Sequence, residues 1–147
     1  MVLAVTSPLK IGVYENESLV EEIVSEEKTS EILPELFKEL AKKYEIKGLF
    51  YAKGPGSFMA IKISYIFLKT FSIVKNIPFY AADAFNFNEN SPVKALGKLY
   101  FVKENGIIRT KKLELSSKEP SLLKIPPLLN KSVFDEDTEP LYILPAV

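Results

Sequence analysis

The chain has 147 residues, 47% of them hydrophobic and 26% charged, which is enough for one globular domain or two small lobes sharing a core and argues against wholesale disorder. Nineteen basic residues balance nineteen acidic ones, so the basic surplus of a stand-alone nucleic-acid binder is missing. There is no cysteine and no histidine, which excludes disulfides, thiol catalysis, Cys-ligated metals, the Ser-His-Asp triad and HExxH zinc sites.

The opening reads as a three-strand meander. Val2–Val5 is a short buried run that stops at Thr6-Ser7-Pro8. It has no basic n-region and is too short for a signal peptide, so a cytoplasmic location is expected. Lys10–Tyr14 and Ser18–Ser25 follow, separated by the Glu15-Asn16-Glu17 turn. Ile32, Leu33, Leu36, Phe37, Leu40, Ala41 and Tyr44 then share one side at helical spacing. Thr29 or Ser30 is the expected cap, with Pro34 in or near the first turn, where proline is best tolerated. Gly48–Ala52 reads as a strand, Gly54-Pro55-Gly56 as a turn, Ser57–Lys75 as a second helix and Phe79–Ala82 as another strand. The order β-β-β-α-β-α-β is an α/β layered pattern. It predicts a five-stranded mixed sheet, antiparallel in its first three strands and continued by right-handed helical crossovers.

After Asp83 the composition shifts. Phe85–Pro92 reads as a loop or linker. Leu99–Lys103 and Ile107–Leu115 flank Glu104-Asn105-Gly106, and Asn-Gly between apolar runs is a strong hairpin signal. Ser116–Asp137, with Pro120, Pro126 and Pro127, is loop-like, although Leu122, Leu123, Leu128 and Leu129 can pack there. Leu141–Leu144 is the expected final strand. The resulting division is a first lobe over 1–90 and a reduced second lobe over 91–147, docked on the first. The longest apolar stretch, Phe58–Val74, is interrupted by Lys62 and Lys69, which argues against a membrane span.

Chemistry-bearing residues are sparse. Gly54, Gly56 and Ser57 form a strand-to-helix turn of the kind that can offer backbone N–H groups to phosphate. Pro55 has no N–H to give, and the stretch fits neither common phosphate-loop pattern. A tight turn with Ser57 as helix cap is the plainer alternative. The only run of carboxylates, Asp135-Glu136-Asp137, reads as a solvated loop. Asp83 closes an apolar strand without a visible partner, as a turn or cap residue does. No metal or nucleotide is therefore expected to be bound.

The second helix is apolar on both sides. Met59, Ile63, Phe67, Phe71 and Val74 share one arc with Ala60, which is expected to face the sheet. Phe58, Ile61, Tyr65 and Leu68 take the opposite arc, flanked by Lys62 and Lys69. A helix apolar on both sides is buried on both sides, so this outer arc is expected to meet a partner, with Lys62 and Lys69 at the rim. The alternative is that the chain's own first helix and C-terminal segment cover it. No acidic residue lies between Glu45 and Asp83, so the surroundings of this helix carry positive charge.

Lys53-Gly54-Pro55-Gly56-Ser57-Phe58-Met59-Ala60-Ile61-Lys62-Ile63 resembles the GPGSFTGLRIG turn and helix of the TsaB (YeaZ) family. Thr29–Pro34 is similar to that family's H-[ST]-x-x-L-L-P helix start, Val2–Ser7 to its ILAIDTS opening, Asn76-Ile77-Pro78 to its x-[IV]-P step and Glu139–Tyr142 to its closing P-x-Y-L-R. The likeness runs through residues 1–85 and returns only near the C-terminus. It implies an actin/Hsp70-like (ASKHA) first lobe. It also implies a non-catalytic partner subunit for a TsaD-like enzyme, with a TsaE-like ATPase joining, in threonylcarbamoyladenosine modification of tRNA. tRNA would be met only through the complex, and the family pairs through the two helices of its first lobe, so a homodimer is expected when the chain is alone. Thr6-Ser7 stands where the family has a first-strand aspartate, Lys28 where it has histidine, Met59-Ala60 for Thr-Gly, Lys62 for Arg and Ser64 for Gly. Two alternatives remain open: a small phosphate- or nucleotide-binding enzyme of the actin-like class using Gly54, Gly56 and Ser57, and a degenerate member that only homodimerises.

Overall fold

The computed structural model describes residues 1–114 and 122–143. Strands β1 (Val2–Leu3), β2 (Leu9–Glu15) and β3 (Ser18–Ser25) form the expected meander. They are followed by helix α1 (Thr29–Lys43), β4 (Leu49–Ala52), α2 (Phe58–Lys75) and β5 (Phe79–Ala82). The sheet order is β3-β2-β1-β4-β5. β1 runs antiparallel to β2 and β2 to β3, while β1–β4 and β4–β5 are parallel. This is the mixed five-stranded sheet expected from the element order. Parallel neighbours need a long crossover, and α1 and α2 supply one each.

Both helices pack on one face of the sheet. Leu33, Phe37 and Leu40 of α1 and Leu68 of α2 meet Val2, Ile11, Leu49, Tyr51 and Phe79 in one buried cluster. Lys28 occupies the N-cap of α1 and makes no side-chain cap bond, so Thr29 and Ser30 lie inside the first turn and do not cap it. Pro34 sits inside the helix, just past its first turn, and is exposed. α2 ends on Asn76 in the left-handed conformation, which asparagine tolerates well.

The opposite face of the sheet is covered by the rest of the chain. The segment expected to be a linker is part of that cover. Asp83 caps a 3-10 turn over Ala84–Asn86, accepting the Phe85 N–H at 3.0 Å, and Ala84, Phe85 and Phe87 are buried. Burying two phenylalanines against Leu3, Val5 and Ala82 outweighs the one polar residue between them, Asn86, which stays exposed. A three-stranded antiparallel sheet follows: β6 (Val93–Leu96), β7 (Leu99–Glu104) and β8 (Ile107–Lys112). The β7–β8 turn is the expected Asn105-Gly106 hairpin, with both residues at positive φ (52° and 78°) as a two-residue turn requires. Strand β6 was not expected, because Pro92 and Gly97 bracket a run of only four residues. Val93 and Phe101 join the cluster that contains Leu3, Val5, Ala52 and Ala82, so this sheet shares a core with the first.

Residues 122–143 are mostly irregular and pack against the sheet. Leu123 and Leu129 are buried, whereas Leu122 and Leu128 are exposed. Leu141–Ile143 is not a strand, in contrast to expectation: Leu141 makes one ladder-like bond, its N–H donating to the Lys53 carbonyl at 2.8 Å. Leu115, residues 116–121 and Leu144, which the expected strand and loop assignments included, lie outside the described residues. No helix among the described residues is long and apolar enough to cross a membrane.

Candidate functional site

The junction of β4 and α2 holds Gly54, Gly56 and Ser57, and the expected interface residues Phe58, Ile61, Lys62, Tyr65, Leu68 and Lys69 follow along α2. Gly54 adopts φ +118°, a conformation glycine takes without penalty, and a Cβ there would lie 3.0 Å from the Leu141 carbonyl oxygen. Gly56 presses on the end of the first strand: a Cβ would lie 2.3 Å from the Val5 carbonyl oxygen. Both glycines are therefore required by close backbone approach. The polar groups of the turn are largely spent inside the chain. Ser57 N–H donates to Val5 O at 2.7 Å, Ala84 N–H donates to Gly54 O at 2.8 Å, and Ser57 O accepts from Ile61 N–H at 3.0 Å. Ser57 is the N-cap of α2, but its hydroxyl makes no cap bond.

The C-terminal segment straps this junction down. The Tyr51 hydroxyl donates to the Thr138 carbonyl, and burial pushes its pKa far above the ordinary tyrosine value. Tyr65 donates to Glu139 Oε1 at 3.2 Å, and the Phe58 and Tyr142 rings lie 4.6 Å apart. The Lys53 ammonium donates to the Asp137 carbonyl at 2.9 Å and lies 4.0 Å from Asp135 and 3.8 Å from Asp137 carboxylate oxygens. The acidic run read as a solvated loop thus fastens the strap. Asp83, the other carboxylate considered, is tied to the Lys103 ammonium at 2.6 Å as well as to its cap. Among the described residues no group of three or more His, Cys, Asp or Glu is placed to hold a metal.

α2 is rotated relative to expectation. Ile61 (1% exposed), Ser64 and Leu68 (0%) face the sheet. Ile61 and Leu68, expected at a partner interface, are thus sealed in the chain's own core. Tyr65 leans on the same core, its ring 6.4 Å from that of Phe79. Of the expected interface residues, Phe58, Lys62 and Lys69 are exposed. The arc expected to face the sheet divides. Phe67 and Phe71 turn edge-on to Phe37 of α1, at 5.2 and 5.3 Å. Met59 (59% exposed) and Val74 (72%) are in solvent, together with Ile66 (53%) and Ile73 (68%). Ser64 is buried with Ile61 and Leu68. Its hydroxyl donates to the Ala60 carbonyl at 2.7 Å, so it is satisfied within the helix and can be buried.

The outward stripe is therefore Met59, Ile66 and Ile73 at seven-residue spacing, with Phe58 and Val74 beside them and Lys62 and Lys69 along one border. Five of the eleven large apolar side chains left exposed among the described residues lie on α2. No acidic residue occurs on the helix. A stripe of this spacing is the type of surface that a partner helix or groove covers. Periodicity shows two apolar arcs on α2 without saying which of them meets the sheet.

No protein-family profile and no curated protein matches the sequence. Two solved structures from Pseudomonas aeruginosa are similar in fold. One is YeaZ, with a TM-score of 0.55 at 13% identity, covering 75% of this chain and 62% of that one. The other is an uncharacterized protein with similarity to peptidase YeaZ, with a TM-score of 0.55 at 11% identity, covering 75% of this chain and 61% of that one. At this identity the likeness is one of fold. The chain spans under two thirds of the length of either structure.

Proposed function

We propose that the chain is a non-catalytic partner subunit of a cytoplasmic tRNA-modifying complex, docking through α2 on a TsaD-like catalytic subunit in threonylcarbamoyladenosine synthesis. A TsaE-like ATPase would join the same assembly, and tRNA would be reached only through it. The observation that carries this reading is the outward stripe of α2, Met59, Ile66 and Ile73, which an isolated globular chain has no reason to keep. The YeaZ-like fold supports it, as does the strapped glycine turn. The Ser57 N–H is engaged and Gly56 abuts Val5, so Gly54, Gly56 and Ser57 have little left to offer a phosphate. The actin-like assignment of the first lobe and the reduced second lobe belong to the same proposal.

The test is co-purification with a TsaD-like subunit, followed by light scattering of the mixture. Wild type is expected to form a stable complex and Ile66→Asp to lose it while retaining its melting temperature. Calorimetric titration with ATP and magnesium is expected to give no stoichiometric heat. Binding with turnover would overturn the proposal in favour of a nucleotide-using enzyme. Self-association through α2 with no capture of the subunit would replace it with a homodimerising protein.

A further inference from the structure

The second sheet concentrates positive charge that the chain as a whole does not have. Between Val93 and Lys112 there are six basic residues and one acidic residue, Glu104, while the full chain balances nineteen against nineteen. Three of the six lie away from the outer face of that sheet. Lys103 is paired with Asp83 at 2.6 Å, Lys98 sits in the β6–β7 turn with Glu114 at 3.6 Å, and Lys112 lies opposite Leu99 at the end of its strand. The other three, Lys94, Arg109 and Lys111, are exposed.

Register gathers these three on one side of the sheet around a tyrosine. Val93, Phe101 and Ile108 point into the core shared with the first sheet. Successive side chains alternate sides, so Lys94, Tyr100, Val102, Arg109 and Lys111 point away from that core. Lys94 on β6 and Lys111 on β8 lie directly opposite Tyr100 on β7, which makes one row across three strands. Arg109, opposite Val102, stands in the next row and is diagonal to the ring. Directly opposite side chains have Cβ atoms about 5 Å apart and diagonal ones about 7–8 Å, so all three cations surround one half-buried ring. The Lys94, Tyr100 and Arg109 side chains make no hydrogen bond, ion pair or ring contact among the described residues. Glu104, the carboxylate on this face, pairs with Lys111 at 3.5 Å with both partners half-exposed, and such a pair is weak.

We propose that this sheet face binds a single strand of nucleic acid, with a base stacked on Tyr100 and the neighbouring phosphates held by Lys94, Arg109 and Lys111. Cations around an aromatic ring are the two parts of a sequence-tolerant single-strand site, one for the backbone and one for the bases. An acidic peptide would use the cations but has no base plane for the ring. A duplex keeps its bases stacked on one another and offers none to Tyr100. The positive charge is local on a neutral chain, so the strand is held by this face and not by the field of the whole molecule. The face belongs to the side of the first sheet opposite α1, is separate from the outward stripe of α2 and does not rest on the reading of that stripe. In the assembly proposed above it would touch RNA that the assembly has already brought in.

Fluorescence anisotropy tests the proposal with a labelled oligouridylate of about 12 nucleotides, a length that single-strand sites cover. Wild type is expected to bind saturably at about 50 mM salt and to weaken roughly twentyfold by about 200 mM, since three neutralised phosphates give a log–log salt slope near −2. Lys94→Ala and Arg109→Ala are each expected to reduce the steepness of that slope by about 0.7. Tyr100→Ala is expected to weaken binding at least about fivefold with the slope unchanged, and Tyr100→Phe to keep wild-type affinity, because stacking needs the ring and not the hydroxyl. Lys42→Ala, on α1 at the far side of the first sheet, is expected to change nothing. Melts matching wild type verify that the variants fold, and if Tyr100→Ala does not, the Arg109→Ala and Lys94→Ala slopes still decide. Absence of saturable binding at low salt overturns the proposal. So does binding that Lys42→Ala weakens as much as Arg109→Ala. Equal or tighter binding of a polyglutamate of matched length also overturns it and makes the face a site for an acidic protein.

Discussion

The two helices lie on one face of one sheet and touch through Phe37, Phe67 and Phe71, yet they treat water in opposite ways. α1 buries Leu33, Phe37 and Leu40 and presents Glu31, Glu35, Lys38, Glu39 and Lys42 outward, with Glu39 and Lys42 paired at 3.5 Å. That is an ordinary amphipathic helix, satisfied by one core and by solvent. α2 buries Ile61, Ser64 and Leu68 and presents Met59, Ile66, Ile73 and Val74 outward. Its buried face includes a serine, and its exposed face carries large apolar residues among Lys62, Lys69 and Thr70. The contrast teaches that the inward face of a helix is set by what fits the sheet. An outward apolar face beside a conventional neighbour is better explained by a partner than by loose folding.

The sharpest way to break the comparison is in the shared core. Leu68→Ala on α2 and Leu33→Ala on α1, both fully buried, are each expected to lose about 2–5 kcal/mol in urea unfolding. If Leu68→Ala costs little, α2 does not face the sheet with this side. Gly56→Ala is expected to cost about 1–3 kcal/mol by the same measurement, because the new methyl would meet the Val5 carbonyl and backbone must shift. Ile66→Asp and the α1 control Glu35→Lys should each change stability by no more than about 0.5 kcal/mol, since both sites are exposed. Only the first should abolish partner binding in a pull-down, and a destabilised Ile66→Asp would show that the stripe is packed within the chain.

The smallest effect concerns the tie between α1 and β3. The hydrogen bond from the Lys43 ammonium, and then that from the Tyr44 hydroxyl, hold the Glu21 carboxyl below the usual carboxylate range. A folded-state pKa below the unfolded value contributes stability that is present above the unfolded pKa, near 4.3, and is lost as pH falls through the folded value. Glu21→Gln should therefore flatten the acid limb of a melting-temperature profile below about pH 4.3 and change little at neutral pH beyond a slightly lower plateau. An unchanged acid limb would show that the tie does not persist in solution.

Much of the fold was legible because its signals are local. Alternating and helical periodicities mark β2, β3, α1 and β4–α2–β5, and Asn105-Gly106 marks its hairpin by turn chemistry alone. The mixed sheet, antiparallel in its meander and parallel where helices cross over, follows from those elements, since parallel strands demand crossovers. The Phe85–Pro92 segment misled for a physical reason: asparagine alternation looks like a loop until Phe85 and Phe87 find the back of the sheet. The strap at Thr138–Tyr142 was visible only as a short apolar run, because its bonds go to Tyr51, Lys53 and Tyr65, more than seventy residues away.

By itself the sequence determined the element order from β1 to β5, the absence of histidine and cysteine chemistry, and the presence of two apolar arcs on α2. Which arc faces the sheet was a tertiary decision. Both arcs gain similar free energy on burial, so hydrophobicity along the chain does not separate them. In the fold Leu68 packs with Tyr51 and Phe79, Ile61 packs with Leu3, Val5, Ala52 and Ala82, and the self-bonded Ser64 is buried beside them. Such fit depends on side chains brought together from β4, β5 and α2, and packing density makes it decisive.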